Sequence, residues 1–196
     1  VISAEQIQGL TPAKLNTFLN SQMSLLSAAA VSGISATNVG SLAPSKVGAI
    51  NSGAVNALTV ETLSAMNQGQ VQGFNSLQIS KMSGSQIDSI IAKMTSTQIG
   101  AIATSAMGAV SAANLNALTP EQISGVSIDA MRNVTASQVE GLTGETLAKF
   151  NNLQIGALSA SAVTGLTTTN ATYVAATAGV AAVAGPPTVA AIPATA

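Results

Sequence analysis

The sequence predicts an all-α solenoid of very short capped helices with an eight-residue repeat, followed by an extended Ala/Val/Pro-rich C-terminal tail. Three observations carry this reading. The segments "TPEQISGV" (119–126), "SIDAMRNV" (127–134), "TASQVEGL" (135–142) and "TGETLAKF" (143–150) run on without a gap and share one pattern. In each, the first residue is Ser or Thr and the fifth and eighth are apolar. The few charged residues also keep to particular places in the frame.

Extended in both directions, the frame holds eleven octads from Ser3 to Ile90 and nine from Thr95 to Leu166. Position five is aliphatic or Met in all twenty, from Ile7 to Val163, and position eight is apolar in all twenty. Position one is Ser, Thr or Asn in seventeen, the exceptions being Leu19, Ala43 and Ala103, and position four is Gln in nine.

Helix-start chemistry explains the pattern. A Ser, Thr or Asn at position one is an N-cap whose side-chain oxygen accepts from a backbone N–H of the first turn. Position four is then N3, where Gln reaches back to the cap's own N–H and completes a capping box. The eighth residue of one octad becomes N′ of the next and pairs with its fifth, N4, as a hydrophobic staple. Pro12, Pro44 and Pro120 fall at position two, the N1 site that tolerates a missing N–H. Glu5, Glu61, Glu121, Asp129 and Glu145 fall at position three, where the helix dipole favours negative charge.

A continuous helix does not fit. At about 100° per residue, eight residues rotate the apolar stripe by roughly 80° each repeat and smear it around the surface. Apolar spacings of three and five also miss a strand's period of two. Helices this short are not stable alone, so they must stack on their neighbours. Position seven is Gly, Ala or Ser in fifteen octads, which suits a tight turn and a close approach of backbones.

The expected organisation is a first repeat block over 1–90, a frame-breaking insertion at 91–94, a second block over 95–166 and an extended tail over 167–196. Ile87, Ile90, Ile91 and Met94 have helical spacing, so one helix longer by a turn is expected at the junction. The tail carries no charge, and it is expected to pack along its own repeat or on another subunit. Its apolar residues Tyr173, Val174, Val180, Val183, Val189 and Ile192 are the candidate assembly contacts. Of the two sequons, at Asn133 and Asn170, the one in the irregular tail, Asn170, is the candidate glycosylation site.

Composition narrows the function classes. Only 7% of residues are charged, against roughly 25% in an average soluble domain. Self-association therefore meets little electrostatic resistance. A net charge of -1 supplies no footprint for nucleic acid, and no apolar run reaches the roughly 18 residues of a membrane span. With no His and no Cys, a Ser-His-Asp triad and imidazole or thiolate metal sites are excluded. The periodic Ser and Thr residues read as caps rather than nucleophiles. No catalytic residue, cofactor, metal site or small-molecule substrate is expected. The chain begins at Val1, as a fragment or a processed product would, and processing is the reading taken.

The octads "LTPEQISGV" and "LTASQVEGL" resemble the short [ST]-x-x-Q-[IV]-x-x-L repeats of some large secreted or surface-attached microbial proteins. That resemblance covers residues 3–166 and implies a structural role at the cell surface or outside the cell. The expected function is a subunit of a self-assembling filament, sheath or fibre, with copies of itself as the partner. Two alternatives stand beside it: a monomeric adhesin stalk or spacer within a larger surface protein, and a ligand- or glycan-binding solenoid.

Overall fold

The computed structural model describes residues 2–167 and Asn170. Among the described residues the chain is all-helical, with nineteen α-helices, two 3-10 helices and no strand. The α-helices are four to seven residues long, Ala28–Val31 and Gly84–Ile90 marking the extremes. No helix among them is long and apolar enough to cross a membrane.

Each helix starts where its cap is. Thr119 at the head of Pro120–Ser124 accepts from Gln122 N–H, and the Gln122 side chain accepts from Thr119 N–H. The α-helices without a side-chain cap bond begin after Leu19, Ala43 and Ala103, the residues that break the position-one pattern. Each helix ends because its eighth residue is already committed to the next start. Met82 N–H donates to Ile79 O at 3.1 Å, and the backbone of Met82 then turns extended, with ψ 146°. Both it and Ile79 are buried.

Octad 51–58 departs from the α-helical pattern, although other octads with Ala at position four, such as 27–34 and 127–134, keep their α-helices. Asn51 accepts from Gly53 N–H at 2.8 Å, an Asx turn, and the helix shrinks to the 3-10 segment Val55–Ala57.

With the 3-10 helices included, each element packs against the third one after it. Contacts thus recur with a period of three elements, here called a turn. Positions five and eight of successive octads form one continuous core, from Ile7 through Leu63 and Ile99 to Phe150. Burying each such side chain is worth about 1.5–3 kcal/mol. No single helix has a core of its own, so this stabilisation is shared between turns.

Small residues at position seven let the turns close. A Cβ on Gly125 would lie 2.2 Å from Ser96 O, and one on Gly33 would lie 2.1 Å from Ala4 O. Both meet the position-two backbone of the octad three elements earlier. Gly9, at position seven of the first octad, meets only its own helix, with Glu5 O at 3.4 Å.

The break at 91–94 differs in kind from an insertion. Helix Gly84–Ile90 ends at Ile90 (φ -128°), and Ile91–Lys93 follows as a separate 3-10 helix rather than a continuation. Ile91 and Met94 are buried like residues at positions five and eight. The segment packs on Gln68–Gln72 and on Ala112–Asn116, the elements three places before and after it. The paired side-chain amide bonds of Gln70, Gln78, Gln86, Gln138 and Gln154 to earlier carbonyls span 31 and 28 residues, whereas those of Gln98, which cross this segment, span 27 and 24. Residues 91–94 are an octad that lacks its first half yet still fills one side of a turn.

Two outcomes follow. Gly125→Ala lowers unfolding stability by about 1–3 kcal/mol in urea titrations, because backbone must move to admit the methyl group, whereas Gly9→Ala leaves the midpoint unchanged or raises it slightly. Inserting Thr-Pro-Glu-Gln between Ile90 and Ile91 completes the short octad. Helical circular dichroism then rises and the cooperative transition is kept; a collapse of the transition would show that 91–94 is not a repeat position.

Candidate interaction surface

The box glutamines do more than cap. Gln78 accepts from Asn75 N–H at 2.8 Å through Oε1, and its Nε2 donates to Val47 O at 2.9 Å and Ile50 O at 2.7 Å in the preceding turn. The side chain is 0% exposed and all three of its amide bonds are made. Gln70, Gln86, Gln98, Gln138 and Gln154 repeat the arrangement on pairs of position-five and position-eight carbonyls. Gln122 donates to Ala92 O and Met94 O of the short octad.

Other residues at position four substitute in part. Asn38 donates to Ile7 O at 3.1 Å, Thr62 Oγ1 to Ile34 O at 2.8 Å, and Lys46 Nζ to Phe18 O. The acceptors are carbonyls at helix ends, which lack α-helical partners. Among the described residues no buried side-chain nitrogen or oxygen is left unpaired. The buried ladder therefore has no amide free to bind a ligand.

This second role is absent from the sequence reading, which assigns the glutamines to capping alone. A signal for it was present. Glu serves a capping box as well as Gln does, yet none of the twenty octads has Glu at position four. A carboxylate accepts from the cap but has no N–H to give to the turn before it.

The ladder makes the two ends of the described repeat unlike. In the first turn, Gln6 and Gln22 accept from Ser3 N–H and Leu19 N–H, and their Nε2 atoms donate to none of the described residues. Lys14, also at position four, is exposed. Beside Gln22 lies an open apolar cleft of about 340 Å³ lined by Ile2, Phe18, Leu25, Leu26 and Ala30. Leu25 is 83% exposed at a position seven that no earlier described turn crowds. At the other end no position-four side chain among the described residues donates to the carbonyls of Leu147, Phe150, Leu158, Val163 or Leu166. Leu153 there is 75% exposed.

The candidate assembly contacts Tyr173, Val174, Val180, Val183, Val189 and Ile192 lie outside the described residues. Asn170 has a different role from the expected glycan acceptor. It is 3% exposed, its Oδ1 accepts from Thr167 N–H, and its Nδ2, the atom a glycan needs, donates to Val139 O at 3.1 Å. Thr167 and Asn170 thus carry the cap and box positions one step past Leu166, where the repeat was expected to stop.

Among the described residues the charged side chains form one ion pair. Asp129 pairs with Arg132 at 3.3 Å on the exposed surface, an i,i+3 contact of little energetic weight. Hydrogen bonds from its own backbone and from Ser3 lower the Glu5 pKa, and the carboxylate is fully exposed. Among the described residues no three acidic side chains converge on a metal position. The chain matches no protein-family model, and no curated protein matches it.

Replacing Gln by Glu separates the two roles of the amide. Gln78→Glu keeps the acceptor for Asn75 N–H but places a buried carboxylate against Val47 O and Ile50 O. Its expected loss is at least about 3 kcal/mol, read from urea unfolding at neutral pH. Gln22→Glu, in the first turn, changes the midpoint by less than about 0.5 kcal/mol.

Proposed function

We propose that this chain is a structural protein, an α-solenoid that associates with copies of itself into a filament, sheath or fibre at the cell surface or outside the cell. The buried amide ladder is the observation that carries the reading. Each turn offers carbonyls that bind the amides of the next, so the repeat is chemically complementary to itself. Its scarce charge opposes such stacking weakly, and the apolar cleft beside Gln22 adds surface that gains by being covered. The placement outside the cell rests on the resemblance of the octads to those of secreted and surface-attached microbial proteins.

A structural role also accounts for the polar side chains. The Ser, Thr, Asn and Gln residues of the frame hold helix starts and link turns, which leaves them no evident chemistry on a substrate. Multi-angle light scattering and negative-stain microscopy over a wide concentration range test the proposal. Mass that grows with concentration and elongated particles are expected; a monodisperse monomer throughout overturns it.

A further inference from the structure

We propose that the register of stacking is fixed by a few divided rungs, at which the two tasks of one box glutamine are split between an Asn at position six and a Lys. This goes beyond the self-assembly reading and does not depend on it. Within the ladder a glutamine reaches the octad four elements earlier, as Gln154 reaches Ile123 O and Val126 O. Octad 143–150 has Thr146 at position four, and its hydroxyl bonds to Thr143 Oγ1 at 3.0 Å within the same helix start. The accepting task passes to Asn116, at position six of octad 111–118, whose Oδ1 accepts from the cap N–H of Thr143 at 3.0 Å. The donating task passes to Lys149, whose Nζ donates to Leu118 O at 3.0 Å. Both halves land on octad 111–118, the one a glutamine would have reached.

Octad 43–50 repeats the arrangement independently. Ala43 N–H donates to Asn16 Oδ1 at 2.8 Å and Lys46 Nζ donates to Phe18 O, both partners lying in octad 11–18, again four elements earlier. The two Asn side chains are anchored alike, their Nδ2 atoms donating to Ser41 O and to Gly141 O, at position seven of the octad before the cap. The halves also occur alone. The short octad 91–94 has no cap N–H to satisfy and carries only the donor, Lys93, whose Nζ donates to Met66 O at 2.6 Å and Ser64 O at 2.9 Å. Octad 111–118 draws its acceptor from Asp88, at position six four elements earlier, whose Oδ1 accepts from Ser111 N–H at 2.7 Å. Lys81, at position seven of an octad that has Gln78, is exposed and donates to none of the described residues.

A glutamine rung carries no address, because every octad offers carbonyls at positions five and eight. A divided rung does, because it needs Asn or Asp at position six beneath it, and among the twenty octads only Asn16, Asn56, Asp88 and Asn116 supply one. The octads on either side of 111–118 offer Gly108 and Ser124 there, which lack the amide. Asn116 and Lys149 thus select one partner octad from nearly identical ones.

The test is a double-mutant cycle in the whole chain. Asn116→Ala and Lys149→Met are each expected to lower the Tm by about 3–6 °C, while Lys81→Met leaves it unchanged. Thr146→Gln restores an undivided rung, so in that background either substitution is expected to cost less than about 1 °C. If Asn116→Ala and Lys149→Met lower the Tm equally in both backgrounds, or in neither, the divided rung is overturned. A second measurement on the unsubstituted chain does not depend on how any variant folds. In brief treatment with the N-hydroxysuccinimide ester of acetic acid, followed by mass mapping, Lys93 and Lys149 are expected to acylate roughly tenfold more slowly than Lys81, because a bonded ammonium must first release its carbonyl. Equal rates at the three lysines overturn the assignment.

Discussion

The hydrogen bonds from a position-four amide to the carbonyls of the preceding turn hold the rest of this structure in place. Gln78 makes the constraint concrete: one amide closes the start of its own helix and the ends of a helix 28 to 31 residues earlier. Helices of four to seven residues leave more backbone groups without an intrahelical partner than they pair. A fold built from them is stable only if something other than the helix satisfies those groups. Side-chain caps do so at the starts, and the amide ladder does so at the ends.

The ladder also constrains composition. The buried side chains of Gln70, Gln78, Gln86, Gln98, Gln138 and Gln154 accept at one end and donate at the other, which Gln does with no charge to desolvate. Where a position-two backbone lies directly against position seven the residue is Gly, as at Gly33, Gly73, Gly125 and Gly165, and no earlier described turn meets the first one, which leaves room for Leu25. Positions five and eight must be apolar because each serves two elements. What remains free is a narrow polar surface, and this sequence leaves it nearly uncharged.

A consequence for the proposed solenoid is that the unit of its geometry is the element rather than the residue. The short octad at 91–94 occupies one side of a turn although it has half the usual length, and Gln98 still finds Val71 O and Phe74 O across it. Counting residues makes 91–94 look like an insertion between two blocks; counting elements makes it a member of one series. The same series continues to Thr167 and Asn170, and in the sequence Ala171 and Val174 still fall at positions five and eight.

The sequence by itself determined the helix starts, because every contact that defines them lies within four residues. Thr119 and Gln122 could be assigned as cap and box partner, and Ile123 and Val126 as core, from local stereochemistry alone. It also specified where backbones approach, since a recurring small residue has few other causes. Only the tertiary structure decided that three elements make a turn, that the box amides face backwards as well as down, and that Asn170 is a buried tie rather than an exposed acceptor. Those bonds join residues more than twenty positions apart, and every octad offers nearly the same partners. Periodicity, which makes the local reading easy, leaves the choice of partner to packing.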